Sequence, residues 1–147
     1  MKRSERAKSY FQQGYNCSQA VLLAFADLID AKEETLLALS KPLGGGLARL
    51  RQTCGAVSGM AMAAGALFPE YGKSEIYAFV QDLISKFQQK NGSYNCGELL
   101  TGKGIAAENS PNAEARTKEY YQKRPCADLV FDAAEILERA LVEKNKI

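Results

Sequence analysis

Cys17, Cys54, Cys96 and Cys126 are the side chains of this sequence best equipped for chemistry, and no histidine is present to assist them. The surrounding residues place each cysteine in the first turn of its own helix. Two settings are near copies, Tyr15-Asn16-Cys17-Ser18-Gln19 and Tyr94-Asn95-Cys96-Gly97-Glu98. In both, the Asn suits an N-cap and the Gln or Glu at the third helical position completes a capping box. A helix N-terminus presents free N–H groups and the positive end of the macrodipole, so a sulfur there is expected to favour the thiolate form. Thiolate attacks disulfides and binds soft metals. A single free cysteine is often just a small core hydrophobe. Four of them at helix starts, two in one repeated device, are poorly explained that way.

The spacing removes several chemistries. No pair forms C-x-x-C, so a thioredoxin-type motif and the local cysteine pairs of zinc ribbons are absent. Without histidine there is no imidazole ligand for haem and no Cys-His nucleophile. What remains is a site assembled in three dimensions from separate helices. Four thiolates at one point suit an Fe–S cluster or Zn by softness and number. Two thiols within bonding reach suit thiol–disulfide exchange. A structural Zn site, or a small binding module with buried free thiols, is the third alternative.

Cys54-Gly55-Ala56-Val57-Ser58-Gly59 is the most specific string. Gly55 removes a side chain where a ligand or another backbone can approach the sulfur. Gly55 and Gly59 also suit close helix packing. Gly44-Gly45-Gly46 lacks a following Gly-Lys-Ser/Thr and a preceding strand, so it is no phosphate loop and no nucleotide is expected. Arg49 and Arg51, shortly before Cys54, either favour its thiolate or face water.

The elements that position these residues read as helices throughout. Apolar spacing and punctuation predict helices over 4–13, 16–29, 32–41, 53–68 and 73–90, a short one from 96, a polar one over 112–122, and a last one over 126–144. Residues 102–111 read as the least ordered interior stretch. Gly14 and Asn91-Gly92 supply stops. The helix over 53–68 is apolar nearly all round, with Gly55, Gly59 and Ala63 on one face. It belongs inside the domain or at a homodimer interface. Phe25, Phe79 and Phe87 read as core. No stretch alternates with period two. The expectation is all-α, one domain over 1–147, a bundle of about five to seven helices.

Composition bounds the class. The chain of 147 residues has Lys+Arg 19 against Asp+Glu 17, a net charge of +2 and no basic block, so no nucleic acid is expected as partner. Lys2, Arg3, Arg6 and Lys8 read as a solvated helix face. The first residues lack the apolar core of a secretory signal, and the longest uncharged apolar stretch, 54–68, is shorter than the roughly 20 residues that span a bilayer. A cytoplasmic protein without a membrane partner is the expectation. Four cysteines in such a compartment more often serve metal binding or transient redox chemistry than structural disulfides.

The order Cys17 … Cys54-Gly55-Ala56-x-x-Gly59 … Cys96 … Cys126, with Gly14 to Val21, the glycine run at 44–46, Glu98-Leu99-Leu100 and Leu129-Val130, resembles a prokaryotic family of redox-active proteins. That family is named for its C–GCAxxG–C–C signature. The resemblance implies a small helical protein whose four signature cysteines serve a redox role. A similar domain in split-Soret cytochromes is associated with a proposed Fe–S centre. By position it makes Cys17, Cys54, Cys96 and Cys126 redox-active thiols and candidate metal ligands. Gly45, Arg49, Gly55 and Gly59 are candidate cofactor-binding positions beside them. The implied partner is a redox protein or a small-molecule redox couple.

Overall fold

A computed structural model describes residues 1–147. Eight α-helices follow one another: α1 Arg3–Gln12, α2 Cys17–Leu23, α3 Glu33–Ser40, α4 Gly55–Leu67, α5 Lys73–Asn91, α6 Cys96–Thr101, α7 Lys118–Lys123 and α8 Cys126–Glu143. The fold is all-α. Each of the eight expected segments forms a helix, and the count passes the expected five to seven only when the six-residue α6 and α7 are both included.

Packing follows the apolar stripes. α2 lies between α1, α3, α4 and α8, while α4 packs on α2, α5 and α8. Val21, Phe25, Val57, Met60, Leu83, Phe87, Val130 and Leu137 fill the space between them, each almost fully buried. Phe25, Phe79 and Phe87 belong to this core as expected. Gly59 permits the α2–α4 approach: a Cβ there would lie 2.6 Å from the Ser18 carbonyl oxygen. Gly14 (φ 107) and Gly92 (φ 84) supply the left-handed residues after α1 and α5.

Several boundaries differ from the expectation. The second helix stops at Leu23 and not near Ile29. Phe25 N–H turns back to the Leu22 carbonyl, and the Arg3 guanidinium takes the Ala24 carbonyl at 2.8 Å. A short 3₁₀ turn, Ala26–Leu28, follows. The helix expected from 53 starts at Gly55, because the stretch before it runs extended beside the stretch before α6. Cys54 N–H donates to Tyr94 O, Cys96 N–H donates to Gln52 O, and Thr53 and Asn95 form one antiparallel bridge. The polar helix expected over 112–122 forms only as α7, where Thr117 caps Tyr120 N–H at 3.1 Å. The basic face of α1 is not simply solvated: Arg3 and Arg6 pair with Asp27, and Lys8 with Asp128.

No helix is long and apolar enough to cross a membrane.

Candidate thiol site

Three cysteines occupy the first residue of their helices, α2, α6 and α8, and Cys54 is the residue that caps α4. All four line one cavity of ≈ 430 Å³. The device around Cys17 is complete. Asn16 Oδ1 accepts Gln19 N–H at 3.0 Å and Gln19 Oε1 accepts Asn16 N–H at 3.1 Å. Asn16 Nδ2 and Ser18 Oγ then donate to the carbonyls of Lys41 and Ser40, tying the start of α2 to the end of α3. Around Cys96 only half the expected box forms. Asn95 Oδ1 accepts Glu98 N–H at 2.9 Å, but Asn95 N–H donates to Ser93 Oγ, and that hydroxyl donates to Glu98.

Residues 44–51 cross the cavity as a strap with left-handed backbone. Gly45, Gly46, Leu47, Ala48, Arg49 and Arg51 have φ between 50 and 75°. Non-glycine residues in this region cost roughly 1–2 kcal/mol each, and such strain clusters at functional sites. Close approach requires the glycines here. A Cβ on Gly46 would lie 2.6 Å from the Cys96 Cβ, and one on Gly55 would lie 2.3 Å from Cys17 Sγ. The backbone of α4 therefore meets the sulfur of α2 directly. Gly59 lies one turn further along, against Ser18, and serves packing.

The thiolate expectation is corrected. Burial raises the Cys17 thiol above its ordinary range, Cys54 well above it, and Cys126 to about 12. Helix-end donors are present: the N–H groups of Gly45 and Ser18 face Cys17, and that of Ala56 faces Cys54. Loss of water outweighs them. The sulfurs also repel one another as thiolates, with Cys17 the strongest such neighbour of both Cys54 and Cys126. Metal-free, the pocket favours the protonated form of Cys17, Cys54 and Cys126.

Positive charge surrounds it. Arg49, Arg51, Arg116 and Arg124 line the cavity together with Lys41, against one lining carboxylate, Glu114. Arg51 Nη1 donates to Cys96 Sγ at 3.8 Å. Arg49 instead reaches away from the sulfurs to Glu108, Glu114 and the Ser110 and Asn112 carbonyls. Neither arginine faces water, their side chains being 13% and 8% exposed. Arg116 lies 4.2 Å from the Phe11 ring centroid and donates to the Phe11 and Tyr15 carbonyls. Arg116, Arg124, Glu114 and the neighbouring Tyr120 carry no motif that marks them in the sequence. Their place follows from the path of residues 105–117.

No three Cys, Asp or Glu side chains are gathered closely enough to hold a metal ion as they stand. The four thiols line a common cavity without forming a ready-made ligand group. No curated protein and no solved structure matches this chain. A family profile described as "Putative redox-active protein (C_GCAxxG_C_C)" matches residues 15–140, which span all four cysteines, and the chain belongs to that family.

Proposed function

We propose that this redox-active protein uses Cys17, Cys54, Cys96 and Cys126 as the ligand set of an Fe–S cluster. The observation that carries the reading is the convergence of all four thiols on one cavity of ≈ 430 Å³. A single tetrahedral Zn²⁺ with Zn–S near 2.3 Å draws its sulfurs to about 3.8 Å from one another, a compactness these residues do not have. A larger inorganic body suits sulfurs that stand around a space. The charge agrees: five cationic side chains against one carboxylate favour a centre whose thiolate ligands bring negative charge.

When bound, such a cluster supplies one-electron transfer at a potential tuned by its surroundings. The protein's own residues orient and tune. Gly45, Ser18 and Ala56 N–H groups and the Arg51 guanidinium donate toward the sulfurs. Gly55 and Gly46 leave the room those sulfurs need. Ligation requires thiolates, so loading would displace the protons that burial favours on Cys17, Cys54 and Cys126.

Anaerobic purification with iron, sulfide and zinc analysis tests the reading. The expected product is coloured, contains iron and acid-labile sulfide, and loses both in each single Cys→Ser variant. Colourless protein with four titratable thiols that also resists reconstitution overturns it.

A second reading has one specific observation behind it. Cys17 Sγ abuts the backbone of Gly55, next to Cys54. Oxidation of these two thiols to a disulfide would release two electrons and two protons to an external disulfide, which leaves as two thiols. A reversible two-electron potential in metal-free protein, lost in Cys17→Ser and Cys54→Ser, is its signature.

A further inference from the structure

Residues 105–117 form a long connection without helix or strand, and connections of this length are commonly functional lids. Its backbone N–H groups find backbone partners only at the two ends, Ile105 on Leu100 O and Thr117 on Ala115 O. What holds it over the thiol cavity is arginine. Arg51 Nε donates to Glu108 O at 2.9 Å, and Arg49 donates to the Ser110 and Asn112 carbonyls. The centre of this clasp is one atom. Glu114 Oε1 meets Arg49 Nη2 at 3.2 Å and Arg51 Nη2 at 3.9 Å, and also pairs with Arg124 Nη2.

Three guanidiniums, 8–13% exposed, thus converge on one carboxylate oxygen. The Glu108 carboxylate adds a second ion pair to Arg49 alone. Guanidinium forks are suited to bidentate oxyanions, and here three share a single oxygen at the wall of the thiol cavity. The Glu114 side chain is 38% exposed, so this carboxylate stands at the mouth of the cavity and is not sealed within it.

We propose that Arg49, Arg51 and Arg124 form a binding site for a small oxyanion, a carboxylate or phosphate group, and that Glu114 is the internal occupant such a ligand displaces. Entry of the anion removes the central tie of residues 105–117 and opens the thiol cavity. The site thereby admits an anionic molecule to the sulfurs and not a neutral one. That this anion is the molecule oxidised or reduced there rests on the function proposed above. The binding itself does not.

The test uses reduced, metal-free protein, so its outcome is independent of whether a cluster binds. Calorimetric titration with inorganic phosphate and with succinate separates the two oxyanion sources. Glu114→Gln removes the competing charge and is expected to bind one of them on the order of tenfold more tightly than the wild type. Adding Arg124→Gln to it abolishes that binding. Wild-type protein gives a parallel reading by thiol alkylation. Iodoacetamide modifies the cavity cysteines faster on addition of the same anion than with chloride at equal ionic strength. A folded Glu114→Gln protein that binds neither anion better than the double variant overturns the proposal. So does alkylation that responds to chloride and to the oxyanions alike.

Discussion

Three glycines of α4 separate the requirements of the site from those of the fold. A Cβ on Gly55 would stand 2.3 Å from Cys17 Sγ, 3.1 Å from Leu43 O and 3.4 Å from Gly44 Cα. A Cβ on Gly59 would stand 2.6 Å from Ser18 O, with Ser18 Cα and Val21 Cβ at 3.1 Å. On Gly65 it would meet nothing within 4 Å. The obstacles differ in kind. Cys17 Sγ is a terminal atom that moves by rotation about one bond, at about 1 kcal/mol if it leaves its preferred rotamer. Ser18 O belongs to the backbone of α2 and moves only with the helix.

Gly55→Ala is therefore expected to cost about 1 kcal/mol or less in stability while turning the Cys17 sulfur out of the cavity. Gly59→Ala forces α2 and α4 apart, an overpacking cost of about 1–3 kcal/mol even after the gain in helix propensity. Gly65→Ala keeps that gain without a clash and stabilises by about 0.5–1 kcal/mol. Urea unfolding of the reduced, metal-free proteins measures the first quantity, and iron and sulfide content after anaerobic reconstitution the second. The expected pattern is that Gly55→Ala loads as poorly as Cys17→Ser yet unfolds near the wild type. Full loading of Gly55→Ala would refute the claim that this glycine exists to seat the sulfur. Equal behaviour of Gly55→Ala and Gly59→Ala in both assays would refute the division between site and fold.

The thiols make stability fall at high pH. A raised thiol pKa means the folded chain keeps a proton that the unfolded chain releases above about 9, so for Cys126 the contribution is intact below pH 9 and disappears toward 12. Each pH unit in that window removes about 1.4 kcal/mol for that one thiol. Urea unfolding of metal-free protein at pH 8 and 10 is expected to show a smaller pH-dependent loss in Cys126→Ala than in wild type; an identical loss contradicts a raised Cys126 thiol. Arg51→Gln removes the donor to Cys96 Sγ and a positive charge, so the midpoint potential of the reconstituted centre should fall, with Arg51→Lys intermediate in a voltammetric titration. An unchanged potential in both variants excludes Arg51 as a tuning residue. Asn16→Ala deletes the cap of α2 and the tie to Lys41 O and should destabilise by about 1–2 kcal/mol, against about 1 kcal/mol for Asn95→Ala, whose capping box is half formed. Thermal unfolding ranks the two, and the reverse order contradicts the reading.

Much of the fold was legible because its signals are local. Helical spacing located α1, α4, α5 and α8, and Asn16, Asn95, Gly14 and Gly92 marked ends that one turn of sequence determines. The short end of α2 was not legible, since it depends on Arg3 reaching the Ala24 carbonyl from another helix. The run 112–122 looked helical by composition. It is shortened because Arg49, some sixty residues earlier in sequence, takes the Ser110 and Asn112 carbonyls. The left-handed strap was invisible for a related reason. Leu47, Ala48 and Arg49 have no propensity for positive φ, and only their tertiary setting holds them there.

The thiol chemistry reverses one inference and strengthens another. Position at a helix N-terminus pointed to thiolate, and the donors it supplies are present, yet burial holds Cys17, Cys54 and Cys126 protonated. A thiol of this kind is a poor attacking nucleophile at neutral pH, because attack requires the thiolate fraction that burial suppresses. A metal centre does not need that fraction in advance, since ligation itself drives the protons off. The same burial that weakens the disulfide reading is therefore compatible with the cluster reading. Arg51 beside Cys96, and Arg116 and Arg124 near Cys126, act in the same direction: they do little for neutral thiols but would stabilise the negative charge that the proposed ligation brings. What distinguishes the two chemistries is thus the charge state the pocket favours, and five cationic side chains against one lining carboxylate agree with the proposed anionic centre.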